Sequence, residues 1–349
     1  MRLSAFATEF GALLHDVEIA YEWRGRLDSR GANAILLCHA LTGDAHAADG
    51  GGRPGGWGPL VGPGRALDTD RYFVLCANVL GGCAGSTGPA SADPRTGAPY
   101  GPDFPVVTVR DMVGVQRALA ERLGIRRFAA VLGGSMGGMQ ALEWAVSHPD
   151  LCLRAGVLAA APVFSAMGVA YNQVMRDAIL ADPDYCGGRY ADAGRFPANG
   201  LRIARMLGMI TYRTADLFAE RFGRQTAADA PFDFEVGRYL RHHGDKLVAR
   251  FDANAYLTLM RAMDLHDIGR GRGGVDAAWR RVRGGVLFVG IDDDLLYPPE
   301  ELRAAAACAK GAGVRAAYAH IASRYGHDAF LLEFDQLAAI LRDFLDAGD

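Results

Sequence analysis

Short apolar runs recur along the chain at residues 34–41, 72–78, 128–132, 155–160, 286–290 and 316–321. They are continuous, or nearly so, rather than alternating with polar residues, which marks strands buried on both faces. Between them the period changes. Residues 107–123 place Val109, Met112, Val113, Gln116, Leu119, Ala120 and Leu123 at helical spacing, with Gly124 positioned to end the helix. Residues 139–147 read as a second helix. Two loops rich in Gly, Pro and Asp, 42–70 and 81–105, separate the early elements. Strands alternating with helices imply crossover connections and a mostly parallel central sheet flanked by helices.

From residue 164 to residue 283 this alternation stops. The stretch keeps helical periodicity, is rich in Arg, Met and Tyr, and contains no convincing buried strand. It predicts a helical cap inserted into an α/β core. The expected organisation is therefore 1–163 as the first part of the core, 164–283 as the cap and 284–349 as the second part of the core. A length of 349 residues suits one large core with an insertion.

Chemistry enters at Gly133-Gly134-Ser135-Met136-Gly137, which fits G-x-S-x-G. The run 128–132 leads into Ser135 and a helix leaves it. That is the context of a nucleophile elbow, a strained strand-to-helix turn that lifts one hydroxyl above a sheet. In a chain with 45 glycines the bare pentad is weak, and the strand and helix on either side carry the argument. A serine needs a base, and the base an orienting acid. In elbow enzymes the acid and then the histidine follow the serine in the chain. Asp292, Asp293 and Asp294 follow the late run 286–290, and His327 lies near the C-terminus in Tyr325-Gly326-His327-Asp328. Order alone leaves the acid open among three aspartates, two of which then read as solvated charge or turn caps. His320 is the other histidine downstream and is expected to end a strand. The backbone amides of Met136 and Leu41, the latter in the loop after the first buried run, are the expected oxyanion donors. His39 reads as a strand-end residue that buttresses that loop.

Composition narrows the class. A formal net charge of −3 gives no basic footprint for nucleic acid. No apolar run reaches the roughly 18 residues of a membrane span. The N-terminus lacks the pattern of a signal peptide. Six cysteines stand without C-x-x-C spacing, so no zinc site is expected, and Cys38, Cys76 and Cys152 read as small core residues. A cytoplasmic protein is the expectation.

Taken together, ordered motifs resemble one family almost end to end. They are Cys38-His39-Ala40-Leu41-Thr42-Gly43, residues 78–89 (NVLGGCAGSTGP), 104–111 (FPVVTVRD), 133–144 (GGSMGGMQALEW), 250–256 (RFDANAY), 266–274 (HDIGRGRGG) and 326–331 (GHDAFL). The chain resembles the homoserine O-acyltransferases of the α/β-hydrolase fold, and the 266–274 segment is similar to their acetyl-using members. The resemblance implies Asp294 as the acid, His327 as the base and Ser135 as the nucleophile. It implies that Arg205 and Tyr212 hold the amino acid and that Asp328 takes its ammonium. It further implies acetyl-CoA as co-substrate without a tightly bound cofactor, L-homoserine as acceptor, a product that feeds methionine synthesis, and a homodimer formed through the cap. Read without the resemblance, Arg205 would be a solvated helix face and Asp328 a helix cap. A succinyl donor, a serine acceptor and a plain esterase are the alternatives the same triad allows.

Overall fold

A computed structural model describes residues 1–228 and 230–347. The chain opens with an antiparallel pair, β1 (Arg2–Ala7) and β2 (Leu13–Glu18). The central sheet follows with β3 (Tyr21–Arg24), β4 (Ala34–Cys38), β5 (Phe73–Ala77), β6 (Phe128–Gly134), β7 (Arg154–Leu158), β8 (Gly285–Ile291) and β9 (Ala316–Ile321). The strand order is β9-β8-β7-β6-β4-β5-β3, parallel except for β3, which runs antiparallel at the edge.

The apolar runs form the strands they predict, but the last, β9, lies at the sheet edge and buries only Ala316 and Ile321 rather than both faces. Every residue of β4 and β5 is buried, as is nearly every residue of β6, β7 and β8. Sheet faces covered by helices on both sides have no solvent side on which polar residues could alternate. The strands β1, β2 and β3 went unread because their residues are half exposed and show no such run. Helix α1 (Val109–Arg122) begins at Thr108 with a capping box: the Thr108 hydroxyl accepts from the Asp111 amide and the Asp111 carboxylate accepts from the Thr108 amide. Helix α2 (Met136–Ser147) is buried from Met136 to Val146.

Between β7 and β8 the chain departs from the sheet through α3 (Ala166–Leu180), α4 (Ala198–Thr211), α5 (Ala215–Phe222), α6 (Glu235–Val248) and α7 (Ala253–Asp264), and returns through the short α8 (Val275–Trp279). An exposed two-stranded ribbon, Thr226–Ala227 with Ala230–Phe234, lies between α5 and α6. Its pattern is too exposed to register as a core strand. The core closes with α9 (Pro299–Gly311) and α10 (Phe334–Asp346), the latter burying Leu337, Leu341 and Leu345 at four-residue spacing. Among the described residues no helix is long and apolar enough to cross a membrane. Cys38, Cys76 and Cys152 are buried free thiols.

Candidate functional site

Ser135 sits between the last residue of β6 and the first of α2 with φ 56° and ψ −124°. A non-glycine residue pays strain to hold positive φ. Here the surroundings fix it. The Ser135 amide donates to the Leu158 carbonyl at 2.9 Å, and its own carbonyl accepts from Gly138 and Met139 as the helix begins. The flanking glycines answer to close backbone contact rather than to flexibility. A Cβ on Gly137 would lie 2.0 Å from the Cys38 carbonyl oxygen, and one on Gly133 would lie 2.3 Å from the Gly137 carbonyl carbon. A Cβ on Gly134 would strike the Phe330 ring at 2.3 Å. Phe330 lies three residues after His327, so the same contact seats the histidine loop on the elbow.

The imidazole Nδ1 of His327 bonds Asp294 Oδ2 at 2.8 Å. Asp294 Oδ1 accepts the amides of Leu296 and Tyr297 at 2.8 and 3.0 Å, which fixes the carboxylate plane. With Nδ1–H committed to the carboxylate, Nε2 is the nitrogen left to exchange a proton. His327 and Asp294 are each 3% exposed and Ser135 6%. Burial alone would lower the His327 pKa. The charge and hydrogen bond of Asp294, with the charge of Asp328, outweigh it and hold the pKa above the usual value, while Arg213 pulls the other way.

Geometry separates the three aspartates. Asp292 turns away, accepting from His320 Nε2 at 2.7 Å and from the Ser323 amide at 3.1 Å. Asp293 occupies a left-handed turn at φ 51°. Only Asp294 reaches His327. His320 lies inside β9.

The loop after β4 approaches the elbow. Gln140, one turn into α2, donates to the carbonyls of His39 (3.3 Å) and Met136 (3.2 Å), and so ties the Leu41 loop to the helix start. Gln140 accepts from Gln116 at 2.7 Å, and Gln116 accepts from the Trp144 indole at 2.8 Å. His39 Nδ1–H donates to the Ala40 carbonyl at 2.8 Å. Its Nε2 accepts from the Val79 amide at 3.1 Å and the Asn78 side chain at 3.2 Å. Burial lowers its pKa against the pull of the Ala40 carbonyl and Asp44, so the ring is neutral with both nitrogens occupied. It braces two loops, as its strand-end position suggests. Sequence reasoning missed Gln140, Gln116 and Asn78; polar residues at apolar helix positions, such as Gln116 and Gln140, were the available signal.

The insertion supplies the opposite wall. The Tyr212 ring, just after α4, lies 5.7 Å from the His327 ring, and Tyr297 stacks on His327 from another side at 5.5 Å. The Arg205 guanidinium stands 5.3 Å from the Tyr212 ring centroid and pairs with no carboxylate among the described residues. Burial raises the Tyr212 pKa, with Arg205 and Tyr256 as opposing partners of its hydroxyl. Burial and the Arg205 charge push His243 down to about 4, so it adds no charge here. Asp328 adjoins His327 and is held by Arg213, a partner that the sequence reading did not single out. A cleft of about 370 Å³ opens beside the elbow, lined by residues including His39, Thr42, Arg53, Trp57, Arg250 and Phe330. Among the described residues no cluster of three or more His, Cys, Asp or Glu side chains is placed to hold a metal.

Comparison with known proteins gives consistent matches. A family model for the alpha/beta hydrolase fold matches residues 33–334. A homoserine O-acetyltransferase of Symbiobacterium thermophilum is 50% identical over 97% of this chain and 91% of its own length. A homoserine O-succinyltransferase of Halothiobacillus neapolitanus is 44% identical over 97% and 87%. The solved homoserine O-acetyltransferase of Bacillus anthracis matches with a TM-score of 0.94 at 28% identity, covering 99% of this chain and 96% of that one. Esterase E22 matches with a TM-score of 0.93 at 30% identity, covering 99% and 98%.

The elbow contacts carry a direct test. Gly137→Ala forces a methyl group into the Cys38 carbonyl and is expected to cost about 2–3 kcal/mol of stability, read as a lowered urea midpoint. An unchanged midpoint would show that the two backbones can separate.

Proposed function

The chain belongs to the homoserine O-acetyltransferases of the α/β-hydrolase fold, and on that premise we propose that it moves an acetyl group from acetyl-CoA to the hydroxyl of L-homoserine by a ping-pong route. The observation that supports this reading is an aspartate-bound His327 whose loop seats on the Ser135 elbow through Phe330 and Gly134, facing Tyr212 and the Arg205 guanidinium of the insertion.

In the first half-reaction, His327 Nε2 takes the Ser135 proton as Oγ attacks the thioester carbonyl. Asp294 steadies the imidazolium. The amides of Leu41 and Met136 receive the oxyanion, a contribution typically worth about 2.7–4 kcal/mol per donor. The tetrahedral intermediate collapses, the thiolate leaves with the proton held by His327, and Ser135 carries an acetyl ester. The cleft beside the elbow suits the donor, since Arg250 and Arg53, the latter paired with Asp44, line it and can meet CoA phosphates.

In the second half-reaction, homoserine places its carboxylate on Arg205 and its ammonium on Asp328, with Tyr212 shaping the floor between them. A guanidinium grips a carboxylate as a fork, and a carboxylate complements an ammonium. His327 removes the proton of the homoserine hydroxyl, which attacks the acetyl-serine. Ser135 recovers its proton and O-acetyl-L-homoserine leaves, the ester used in methionine biosynthesis. Residues 164–283 act as the cap that holds the acceptor and restricts water, which favours transfer over hydrolysis. Exposed Met167, Val174, Ile203 and Ile210 on α3 and α4 support pairing of two copies through the cap. No resident cofactor enters this scheme, and a cytoplasmic setting fits it.

The similarity to a succinyltransferase keeps succinyl-CoA as the second reading of the donor. CoA release measured with acetyl-CoA or succinyl-CoA, with and without L-homoserine or L-serine, decides the matter. Homoserine-dependent turnover of acetyl-CoA is expected. Release indifferent to the acceptor would make the protein a hydrolase. Ser135→Ala should abolish the acetyl-enzyme seen by mass spectrometry, and retained turnover would overturn the route. The base must be neutral to act, so kcat/KM for acetyl-CoA should fall on acidification with a midpoint above about 6.5, the usual histidine value. A midpoint below that value would contradict the charge arrangement around His327. Arg205→Ala should raise the KM for homoserine at least about tenfold while acetylation of Ser135 changes little. Equal damage to both halves would remove its assigned role.

A further inference from the structure

Asp328, the carboxylate offered above to the substrate ammonium, already has a cationic partner. Arg213 Nη1 donates to Asp328 Oδ2, and the two side chains are only 14% and 22% exposed. The same guanidinium nitrogen reaches the Tyr212 carbonyl at 3.4 Å, and the Tyr239 hydroxyl is a further partner. The Asp328 amide donates to that same Tyr212 carbonyl at 3.4 Å. Residues 212 and 213 thus hold Asp328 by its main chain and by one carboxylate oxygen. The other oxygen, Oδ1, carries no hydrogen bond among the described residues.

We propose that Arg213 is a positioning residue that acts through Asp328: it fixes the carboxylate with Oδ1 presented to the ammonium of the acceptor, and it offsets the negative charge that Asp328 imposes on the adjacent His327. The first half of this inference rests on the reading that Asp328 takes the ammonium. The second half does not, because it concerns the base alone.

The physical argument is one of competing charges in a confined space. The groups facing His327 are Asp294 from the turn after β8, Asp328 beside it, Arg213 from the turn after α4, and the rings of Tyr212, Tyr297 and Phe330. Two carboxylates unopposed would raise the imidazole's affinity for a proton further, and a protonated base cannot activate Ser135. One guanidinium on Asp328 leaves Asp294 as the dominant partner. A lone carboxylate would also rotate freely about its side-chain bonds. One oxygen pinned by a planar guanidinium leaves the other with a fixed direction, as recognition of a single ammonium requires. Arg205 and Arg213 therefore divide the work: the first, which meets no carboxylate among the described residues, is left for a substrate carboxylate, and the second holds the protein's own.

The test pairs two readouts. The pH dependence of Ser135 acylation is followed with p-nitrophenyl acetate, without any acceptor, and the KM for homoserine is followed at saturating acetyl-CoA. In Arg213→Met the acidic limb of acylation should move upward by roughly half a pH unit. The homoserine KM should rise about tenfold, more than kcat falls. Arg213→Lys restores the charge without the planar guanidinium, so it should return the limb and leave the KM raised. Asp328→Asn should move the limb downward, and adding Arg213→Met to it should have little further effect on the homoserine KM, since Arg213 acts on the acceptor through Asp328. An unmoved limb in a folded Arg213→Met protein overturns the inference, as does full additivity of the two KM effects in the double variant. If Arg213→Met does not fold, Arg213→Lys alone decides: a KM unchanged from the parent overturns the positioning role. An unchanged homoserine KM in Asp328→Asn instead overturns the ammonium assignment, a failure distinguishable because the acylation limb is read without homoserine.

Discussion

A carbonyl oxygen and a hydrogen atom share the space on which this site depends. The Cys38 carbonyl at the end of β4 lies so close to Gly137 that a side chain there would begin 2.0 Å from it. That contact sets the distance between the end of one strand and the start of α2. It also sets the distance between the loop bearing Leu41 and the amide of Met136. Gly133, packed against Gly137, and Gly134, packed against Phe330, extend the same close approach to the histidine loop. The strained φ of Ser135 persists because these contacts and the Leu158 hydrogen bond leave the chain no easier path.

Two histidines show how surroundings rather than residue type assign roles. His39 and His327 are similarly buried. His39 meets amides and a carbonyl, burial holds it neutral, and it serves as a strut. His327 meets two carboxylates and is held with a raised affinity for the proton. The buried chain from Trp144 through Gln116 to Gln140 belongs with the strut. It spends side-chain hydrogen bonds on fixing two backbone carbonyls, a use of buried polar groups that succeeds only when every member has a partner.

The parts legible in the sequence were those governed by local rules. Strands buried on both faces announce themselves as apolar runs, and β4 through β8 follow that pattern, whereas the edge strand β9 buries only Ala316 and Ile321. A strand, a glycine-flanked serine and a helix in succession identify the elbow. Strand β3 was illegible because an edge strand needs no buried run, and its pairing with β5 is decided in space. The choice among Asp292, Asp293 and Asp294 depended on where a turn points, and the structure aims only the third at His327. Arg213 escaped notice for a related reason. In a chain whose cations are almost all arginine, nothing local distinguishes one that meets a carboxylate more than a hundred residues away. Motif resemblance pointed to Arg205 and Tyr212, and the structure places the Tyr212 ring beside His327 and the Arg205 guanidinium against Tyr212.

The insertion between β7 and β8 has an architectural corollary. Ser135, Asp294 and His327 all hang from the sheet, whereas Arg205, Tyr212 and Arg213 all hang from the inserted helices. On the proposed roles, the covalent step belongs to the sheet, and the choice of who receives the acyl group is shared between the insertion and Asp328 of the core. Inheritance can revise the insertion and leave the triad intact. A lineage could exchange an amino-acid alcohol for water or another hydroxyl by redrafting the insertion, with no atom of the sheet displaced. Esterase and transferase become neighbouring drafts of a single scaffold rather than separate inventions.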